Sequence, residues 1–424
     1  MAVVISLPKI RWLRLSFIFT GALTFYMVYT AVVWGKGRID SYMLTWNGVK
    51  GADFLTPSTN HRHIQQQLAE NVKTCSPRNQ IVFIKTHKTA STTLQTIINR
   101  FGFFYNLSFV FNKNYINNGH FYFIPLTPRN QKRLFLPPLN VRLGDYSNYS
   151  NNFDIMAVHV RYNRVEMEKF MKKHTKYISI IRDPVAQWES AFDFFKFQDA
   201  FGSALSRIPE DKWIETFLDN SSFHLESLKH LWYENVLGLR WYYAQNSQIY
   251  DLGLDSTSFH DDVVINGTVK RLEQEFDLIL LAEYFDESLL ILKKQFCWKY
   301  EDILYFPKNK RLTRRQLSDH VQMKIRNLNR ADWLLYSHFN RTLWEKVKSY
   351  GPKFDEDLNY FRHLNHRIFH ECGNGNATRF YKRVEYTPRR NSSLFCQTIA
   401  EDKQSLFRRV FNRQNPMKIY HVYK

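Results

Sequence analysis

The sequence predicts an α/β fold with a central, mostly parallel sheet flanked by helices. Short apolar runs that alternate with stretches of helical periodicity carry that prediction. Residues 81–84 form a continuous apolar run, as expected for a strand buried on both faces. Apolar residues then recur at i, i+3, i+4 and i+7 from Leu94, which is the pattern of one helix face, and Gly102 is expected to end that helix.

Three further strands are predicted from apolar runs at residues 155–160, 177–181 and 276–281. Arg182-Asp183-Pro184 follows the second of these runs. Asp before Pro is a standard helix start, because the carboxylate caps backbone N–H groups and proline fits the first turn. Helices are predicted at residues 184–197, 224–245 and 288–298. The basic tail beyond residue 350 predicts no clear architecture.

Composition narrows the class of protein. The chain has 424 residues, 44% hydrophobic and 23% charged, which suits one large folded domain with or without appendages. The formal net charge of +20 attracts anions. Zinc-finger spacings of Cys and His and the aromatic signature of RNA-recognition modules are absent, which argues against nucleic acid as the partner. An anionic lipid or a polyanionic small molecule remains as the candidate anionic partner.

The amino-terminal segment predicts one membrane-spanning helix. Residues 15–34 run for twenty positions without a charge, about the length that a helix needs to cross the hydrocarbon layer. Lys9, Arg11 and Arg14 precede this run, which favours a cytoplasmic amino terminus and a lumenal remainder. A cleaved signal peptide is the alternative, but the run is longer than a usual signal core and no small-residue cleavage site follows it.

Two kinds of residue agree with a lumenal location. Asn-x-Ser/Thr sequons predict N-glycosylation at Asn106, Asn148, Asn220, Asn266, Asn340, Asn376 and Asn391. The even number of cysteines predicts two disulfides in an oxidising compartment. These cysteines are Cys75, Cys297, Cys372 and Cys396. All three pairings are open, and Cys372 with Cys396, the pair closest in sequence, is only a guess.

The segment between the first strand and its helix has the composition of an anion-binding loop. A strand that leads into a helix presents backbone N–H groups and the positive end of the helix dipole. Lysines and hydroxyls add to this in the run Lys85, Thr86, His87, Lys88, Thr89, Ala90, Ser91, Thr92, Thr93. The glycines of the GxxxxGK[ST] loop are absent, and no acidic Mg²⁺ ligand is obvious nearby. These features suit sulfuryl transfer and argue against a nucleotide kinase or NTPase.

Residues 84–93 resemble the 5′-phosphosulfate loop of Golgi carbohydrate sulfotransferases. The closest resemblance is to the galactose-3-O-sulfotransferase family, which includes the enzymes that sulfate galactosylceramide. Heparan sulfate 2-O-sulfotransferases share the Lys-Thr-Ala-Ser-Thr core. Further similarity follows in chain order at residues 157–161, 180–184, 282–289, 297–298 and 304–306. The resemblance covers residues 76–350 and implies a P-loop-like sulfotransferase fold.

The resemblance implies a role for several residues. Lys88 aligns with the lysine that contacts the phosphosulfate and the leaving oxygen, and His159 lies in the segment that supplies the catalytic histidine. Arg182 and Ser190 lie in the segment that binds the 3′-phosphate. His87 is a rival base, although its position inside the loop predicts that it shapes the loop.

A loop that closes over the cofactor follows in the family, and Asn309 and Arg311 fall in it. The resemblance and the apolar run together divide the chain. We expect a cytoplasmic tail (1–14), a transmembrane signal-anchor helix (15–34), a lumenal stem (35–75), a sulfotransferase catalytic domain (76–350) and a basic extension of that domain (351–424). The expected location is the Golgi membrane, as a single-pass type II protein with a lumenal catalytic domain.

The function implied by the resemblance is sulfuryl transfer to galactose. The donor is 3′-phosphoadenosine 5′-phosphosulfate (PAPS), and no metal is required. The expected acceptor is the 3-hydroxyl of galactose in a glycolipid, such as galactosylceramide, or in a glycoprotein glycan. Two alternatives stay open: sulfation of another position, such as the 2-hydroxyl of a glycosaminoglycan uronic acid, and a non-catalytic lumenal glycan-binding protein. A homodimer is also left open.

Overall fold

Four parallel strands form a central sheet in the computed structural model. They are β1 (Ile81–Ile84), β2 (Ile155–Met156), β3 (Lys176–Ile181) and β4 (Leu278–Leu281), in the order β2-β1-β3-β4. β1 and β4 are buried along their whole length, as expected for strands covered on both faces. The predicted α/β fold with a mostly parallel sheet is therefore confirmed.

The structure describes residues 75–111, 152–234, 240–308, 310–311, 315–380, 383–401 and 403–414. The predicted cytoplasmic tail and spanning helix, and all of the predicted stem except Cys75, lie outside these residues. In the part of the chain that is described, no helix is both long and apolar enough to cross a membrane.

Helices alternate with the strands and continue beyond them. The α-helices are α1 (Ser91–Phe104), α2 (Arg164–Glu168), α3 (Pro184–Phe195), α4 (Trp213–Asp219), α5 (Ser221–Glu234), α6 (Ser247–Asp251), α7 (Asp262–Glu275), α8 (Phe285–Phe296), α9 (Tyr300–Ile303), α10 (Asp319–Leu328), α11 (Arg330–Tyr350), α12 (Phe354–Cys372), α13 (Leu394–Ala400) and α14 (Lys403–Gln414). Short 3₁₀ segments lie at Phe197–Arg207, Glu210–Lys212, Arg240–Tyr243 and Ser256–Ser258.

Two strand predictions were wrong at one end. The predicted strand at 155–160 stops at Met156, because the Ala157 carbonyl accepts a hydrogen bond from the Gln95 side chain at 2.5 Å instead of continuing the ladder. The strand predicted from residue 276 begins at Leu278, since the Phe276 N–H still bonds the Leu272 carbonyl at the end of α7.

The prediction that Gly102 ends the first helix was also wrong. α1 continues to Phe104. A Cβ atom at position 102 would overlap the Phe109 ring and lie 2.5 Å from Cδ1 of Ile155. Glycine is therefore required here for close packing of α1 against β2, and not for a helix end.

The predicted start of α3 is confirmed, and its end is two residues earlier than predicted. The Asp183 carboxylate accepts hydrogen bonds from the N–H groups of Val185 (2.9 Å) and Ala186 (3.1 Å), and Pro184 occupies the first turn. Lys196, with φ of 55°, ends the helix in the left-handed conformation.

The other two helix predictions were correct in kind but shifted in position. The helix predicted at 224–245 is α5, at Ser221–Glu234, and the chain near its predicted end forms the 3₁₀ segment Arg240–Tyr243. The helix predicted at 288–298 is α8, which begins at Phe285 and ends at Phe296. Cys297, the next residue, has the left-handed backbone conformation.

The tail beyond residue 350, for which no architecture was predicted, folds onto the rest. β6 (Gly373–Phe380) and β7 (Arg383–Pro388) form an antiparallel hairpin, and β5 (Lys310–Arg311) pairs with β7. In α14, Arg413 donates to the carbonyls of Phe103 (2.5 Å) and Leu107 (2.7 Å) at the end of α1. The domain boundary at 350 stays a prediction.

Two disulfides cross-link these helices and the start of the described chain. Cys75 pairs with Cys297 after α8, and Cys372 at the end of α12 pairs with Cys396 in α13. The guess of Cys372 with Cys396 is therefore confirmed, and it fixes the remaining pair.

Candidate active site

The strand order predicts a ligand-binding crevice between the carboxyl ends of β1 and β3. The connection after β1 leads to β2 on one side, whereas β3 and β4 lie on the other side. Parallel α/β sheets bind ligands at such a reversal of strand order. Three bonds join the two strand ends: the Thr86 hydroxyl donates to the Ile180 carbonyl, the Ser179 hydroxyl to the Ile84 carbonyl (2.8 Å), and the Arg182 guanidinium to the Lys88 carbonyl (3.2 Å).

The loop of residues 85–93 occupies one wall of this crevice and has a strained backbone. Lys88 (φ 64°) and Ala90 (φ 61°) are in the left-handed region, which costs non-glycine residues on the order of 1 kcal/mol or more each. Hydroxyls oppose that strain, since Thr86 and Thr89 share a 2.7 Å hydrogen bond and Ser91 donates to the Thr86 carbonyl at 2.6 Å. Thr89 and Ser91 are buried and hold the loop in shape.

The amino end of α1 emerges from this loop. None of the described side chains caps it, and its first turn contains no acidic residue. Thr92 in that turn is partly exposed, whereas the Thr93 hydroxyl is buried and accepts the N–H of Lys308 at 3.0 Å. The positive end of the helix dipole therefore faces the crevice as an anion-binding element.

The two loop lysines have different environments. Lys85 is buried and donates to the Gln95 amide oxygen at 2.8 Å. Lys88 is partly exposed, and its Nζ lies 4.0 Å from the centroid of the Phe194 ring. An aromatic face attracts an ammonium group without cancelling its charge. Lys88 is therefore the loop lysine that can meet a ligand at the crevice.

Arg182 follows β3 and is fixed by its backbone. Its N–H and carbonyl bond the Gln248 side chain at 2.8 and 3.0 Å. Nε of Arg182 lies 3.7 Å from Glu283 Oε1, and burial raises the pKa of the Glu283 carboxyl although the guanidinium opposes that shift. Ser190 is buried in α3, and no described contact joins it to Arg182. The structure thus joins Arg182 to the loop by a hydrogen bond, and none is described between Ser190 and the loop.

The two histidines singled out in the sequence are neighbours. The His87 and His159 rings stack with centroids 4.5 Å apart and planes inclined by 19°. His159 lies just beyond the end of β2, so the sheet brings it beside the loop. Tyr243 packs on His87 at a centroid distance of 4.2 Å, and burial raises the pKa of its hydroxyl well above the usual value.

Two residues that the sequence analysis missed hold His87. Asp251 Oδ2 lies 2.7 Å from His87 Nδ1 and accepts the His87 backbone N–H at 3.0 Å. The Gln187 side chain donates to the His87 carbonyl at 2.9 Å. Asp251 is 164 residues from His87 in sequence and Gln187 is 100, so no local pattern could have indicated these contacts.

The predicted loop over the cofactor is described only in part. Asn309 lies outside the described residues. The backbone of Arg311 pairs with Arg383 in β7, and nothing is described of its side chain. Lys308, just before this segment, donates through Nζ to three carbonyls at the end of α13, at 2.8 to 3.1 Å.

The predicted glycosylation sites differ in exposure. Asn106, Asn220, Asn266 and Asn391 are exposed, whereas Asn340 is partly buried within α11. Asn148 and the side chain of Asn376 lie outside the described residues. Within the described part of the chain, no cluster of three or more His, Cys, Asp or Glu side chains could hold a metal ion.

Comparison with known proteins shows the family of this chain. A family model described as galactose-3-O-sulfotransferase matches residues 53–385. Galactosylceramide sulfotransferase of Bos taurus is 31% identical over 306 residues, which cover 71% of this chain and 66% of that protein. Galactose-3-O-sulfotransferase 2 of Homo sapiens is 32% identical over 282 residues, 65% of this chain and 63% of that protein. The corresponding protein of Mus musculus is 30% identical over 321 residues, with 74% of both chains covered. This chain thus spans about two thirds of the first relatives it matches, and it belongs to the galactose-3-O-sulfotransferase family.

Proposed function

We propose that this chain transfers a sulfuryl group from PAPS to a galactose residue, at its 3-hydroxyl, in a glycolipid or glycoprotein glycan. The family supports this reaction, because its members are named for sulfation of galactose at O-3 and of galactosylceramide. The observation that carries the proposal is the meeting of an anion-binding loop and a stacked histidine pair at one crevice of the sheet.

The residues around the crevice fit a donor that carries a phosphosulfate and a second phosphate. The uncapped amino end of α1 and the left-handed turns at Lys88 and Ala90 suit the 5′-phosphosulfate, since such turns direct successive N–H groups toward an anion. Arg182 would hold the 3′-phosphate, because a planar guanidinium can bind phosphate through two parallel hydrogen bonds. The hydrogen bonds between its backbone and Gln248 fix the position from which the Arg182 side chain extends. Ser190 would assist from α3.

His159 would act as the general base. The acceptor hydroxyl oxygen forms a bond to sulfur while His159 takes up the hydroxyl proton, a role suited to a group that titrates near neutrality. The bond between sulfur and the bridging oxygen of the 5′-phosphate breaks in the same displacement. Its electron pair remains on the phosphate, so the products are a sulfate ester and 3′-phosphoadenosine 5′-phosphate (PAP).

Lys88 would stabilise the charge that develops on the leaving oxygen. A fixed cation directed at developing charge lowers the barrier without reorganising during the reaction. The Phe194 ring and the strained backbone at Lys88 restrict where the ammonium can lie. The family resemblance assigns Asn309 and Arg311 to donor binding as well.

An acceptor screen tests the proposed function. The purified chain, radiolabelled PAPS and separate galactosides, galactosylceramide and glycosaminoglycans would be incubated, and the labelled position determined by NMR. We expect label on O-3 of galactose. Label on a uronic acid 2-hydroxyl alone would instead favour the glycosaminoglycan alternative. An absence of transfer to all acceptors, despite binding of PAP, would favour a non-catalytic glycan-binding protein.

We also propose that the protein resides in the Golgi membrane with its catalytic domain in the lumen. The uncharged run at 15–34, two disulfides and four exposed sequons support this topology. Carbonate extraction and glycosidase digestion of the full chain expressed in cells would test it. Release by carbonate or a complete lack of N-glycans would contradict it.

A further inference from the structure

The ring of His87 is held in one orientation by Asp251. Oδ2 of Asp251 accepts both the His87 backbone N–H at 3.0 Å and a hydrogen bond from Nδ1 at 2.7 Å. The His87 side chain is 12% exposed and that of Asp251 is 1% exposed. Because the carboxylate is the acceptor at Nδ1, neutral His87 carries its proton there and presents a lone pair at Nε2.

Asp251 itself is at a rigid position. It is the last residue of α6, and its carbonyl accepts the N–H of Tyr162 at 2.8 Å. At the other end of α6, the buried Asp332 carboxyl accepts the N–H groups of Gln248 (3.1 Å) and Ile249 (2.8 Å). Burial raises the pKa of Asp332 to about 7, and the charge of Asp251 contributes to that shift.

The segment that carries His159 is joined to the same helix. The Arg161 guanidinium, two residues after His159, donates to the carbonyls of Tyr250 (3.1 Å) and Leu254 (2.7 Å) on either side of Asp251. Gly253 between them has φ of +101°, and a Cβ there would lie 3.0 Å from the Tyr162 carbonyl. One set of backbone contacts therefore fixes Asp251 relative to both histidines.

The second oxygen of the Asp251 carboxylate is an exception among buried polar atoms. Oδ1 is buried, and it accepts no hydrogen bond from the described residues. A buried carboxylate with one unsatisfied oxygen is costly to keep, so its presence calls for an explanation. The hydrogen bonds at Oδ2 are the role that the structure shows for this carboxylate.

We propose that Asp251 is a positioning residue of the active site, which acts through His87. Its carboxylate holds the His87 ring against the His159 ring, and so fixes the plane in which His159 meets the acceptor hydroxyl. This inference rests on the proposed function. Misplacement of a catalytic group by about 1 Å can cost on the order of a hundredfold in rate, so the loss of such support is measurable in kcat.

Replacement of Asp251 tests the proposal. Asp251→Leu keeps the branching at Cγ but removes the acceptor, whereas Asp251→Asn keeps an oxygen that can accept both His87 bonds. We expect Asp251→Leu to lower kcat about 10- to 100-fold, with the KM for PAPS and the affinity for PAP within about threefold of wild type. Asp251→Asn should recover most of that loss. An unchanged KM for PAPS and an unchanged affinity for PAP distinguish this effect from a general packing defect, which would weaken donor binding too.

A double-mutant cycle shows whether Asp251 acts through His87. His87→Ala should lower kcat by a similar factor, and adding Asp251→Leu to His87→Ala should cause little further loss, because coupled residues are not additive. Full additivity would overturn the proposal. Wild-type kcat in His87→Ala would overturn it too, even if Asp251→Leu failed to fold.

Asp355→Leu is the matched control. This aspartate is exposed in the first turn of α12. It should leave kcat unchanged. If wild type itself transfers no sulfate, the proposed function fails; if wild type transfers sulfate and Asp251→Leu matches it, only the positioning role fails.

Discussion

The two edges of the central sheet contain the same kinds of side chain in different environments. At the amino edge, cations pair with carboxylates: Lys176 Nζ lies 2.7 Å from Asp277, and Lys172 Nζ lies 2.8 Å from Asp154. At the carboxyl edge, Lys88 lies over an aromatic ring, and Arg182 donates to a backbone carbonyl and has its carboxylate neighbour, Glu283, at the longer distance of 3.7 Å. Neutral partners orient a cation but leave its charge available to an anionic ligand.

The histidines of the two edges also differ in their surroundings. His174 at the amino edge is exposed in a turn, with φ of 63°. His159 at the carboxyl edge stacks on His87, which Asp251 holds. The comparison teaches that residue type alone does not mark the site. The site is distinguished by the contacts that each side chain makes and by its position at the carboxyl ends of the strands. Matched substitutions at the two edges can therefore break or sharpen this distinction.

The largest difference is expected between the histidines. His159→Asn should lower kcat by at least about a hundredfold, because it removes the proposed general base. PAP affinity should stay near wild type, since the donor is held by other residues. His174→Asn is the control, and asparagine tolerates its left-handed backbone. Steady-state kinetics and calorimetry with PAP would measure both. Near-wild-type turnover in His159→Asn would show that another group is the base.

The sequence predicted the parallel sheet and the anion-binding loop because both depend on local patterns. Alternating strand and helix periodicity predicted β1, α1 and β3, and the Asp183-Pro184 start of α3 followed from local capping chemistry. The family resemblance added His159 and Arg182. Their positions beside the loop are consistent with that choice, although their roles stay predictions.

The errors arose where distant contacts decide the local structure. Gly102 resembled a helix end, but Phe109 and Ile155 pack where its side chain would be. The strand after Met156 was shortened by the Gln95 side chain. Asp251 could not be predicted, because it meets His87 only when α6 packs beside the loop. Periodicity describes one element at a time and contains no information about such pairings.

Replacement of Lys88 and of Lys172 should differ in the effect on kcat nearly as much as replacement of the two histidines. Lys88→Ala should lower kcat by about 100- to 1000-fold, the usual effect of removing one group that stabilises developing charge. Lys172→Ala at the amino edge removes a lysine of equal charge and should leave kcat unchanged. Turnover assays at saturating donor and acceptor would compare them. Equal losses in the two variants would mean that net charge, and not position, governs the reaction.

The arginines should differ in donor affinity. Arg182→Ala should weaken PAP binding about 10- to 100-fold, because a charged hydrogen bond contributes roughly 1.5 to 3 kcal/mol. Loss of its bond to the Lys88 carbonyl acts in the same direction. Arg164→Ala, at the amino edge, also removes a guanidinium that donates to a carbonyl, that of Glu275 at 3.0 Å. Calorimetry should find its PAP affinity unchanged. Unchanged affinity in Arg182→Ala would remove Arg182 from the site.

The smallest effect is expected from the ion pair between Lys176 and Asp277. The two side chains are 35% and 29% exposed, so solvent screens their attraction. A double-mutant cycle with Lys176→Met and Asp277→Asn should give a coupling of about 0.2 to 1 kcal/mol in the free energy of unfolding. Asp277 also accepts the Tyr177 N–H at 2.9 Å, and asparagine can retain that bond. PAP affinity should not change in either variant. A change in PAP affinity would mean that the paired cations of the amino edge also contribute to the electrostatic potential at the crevice. The two edges would then differ only in how strongly their cations attract the donor.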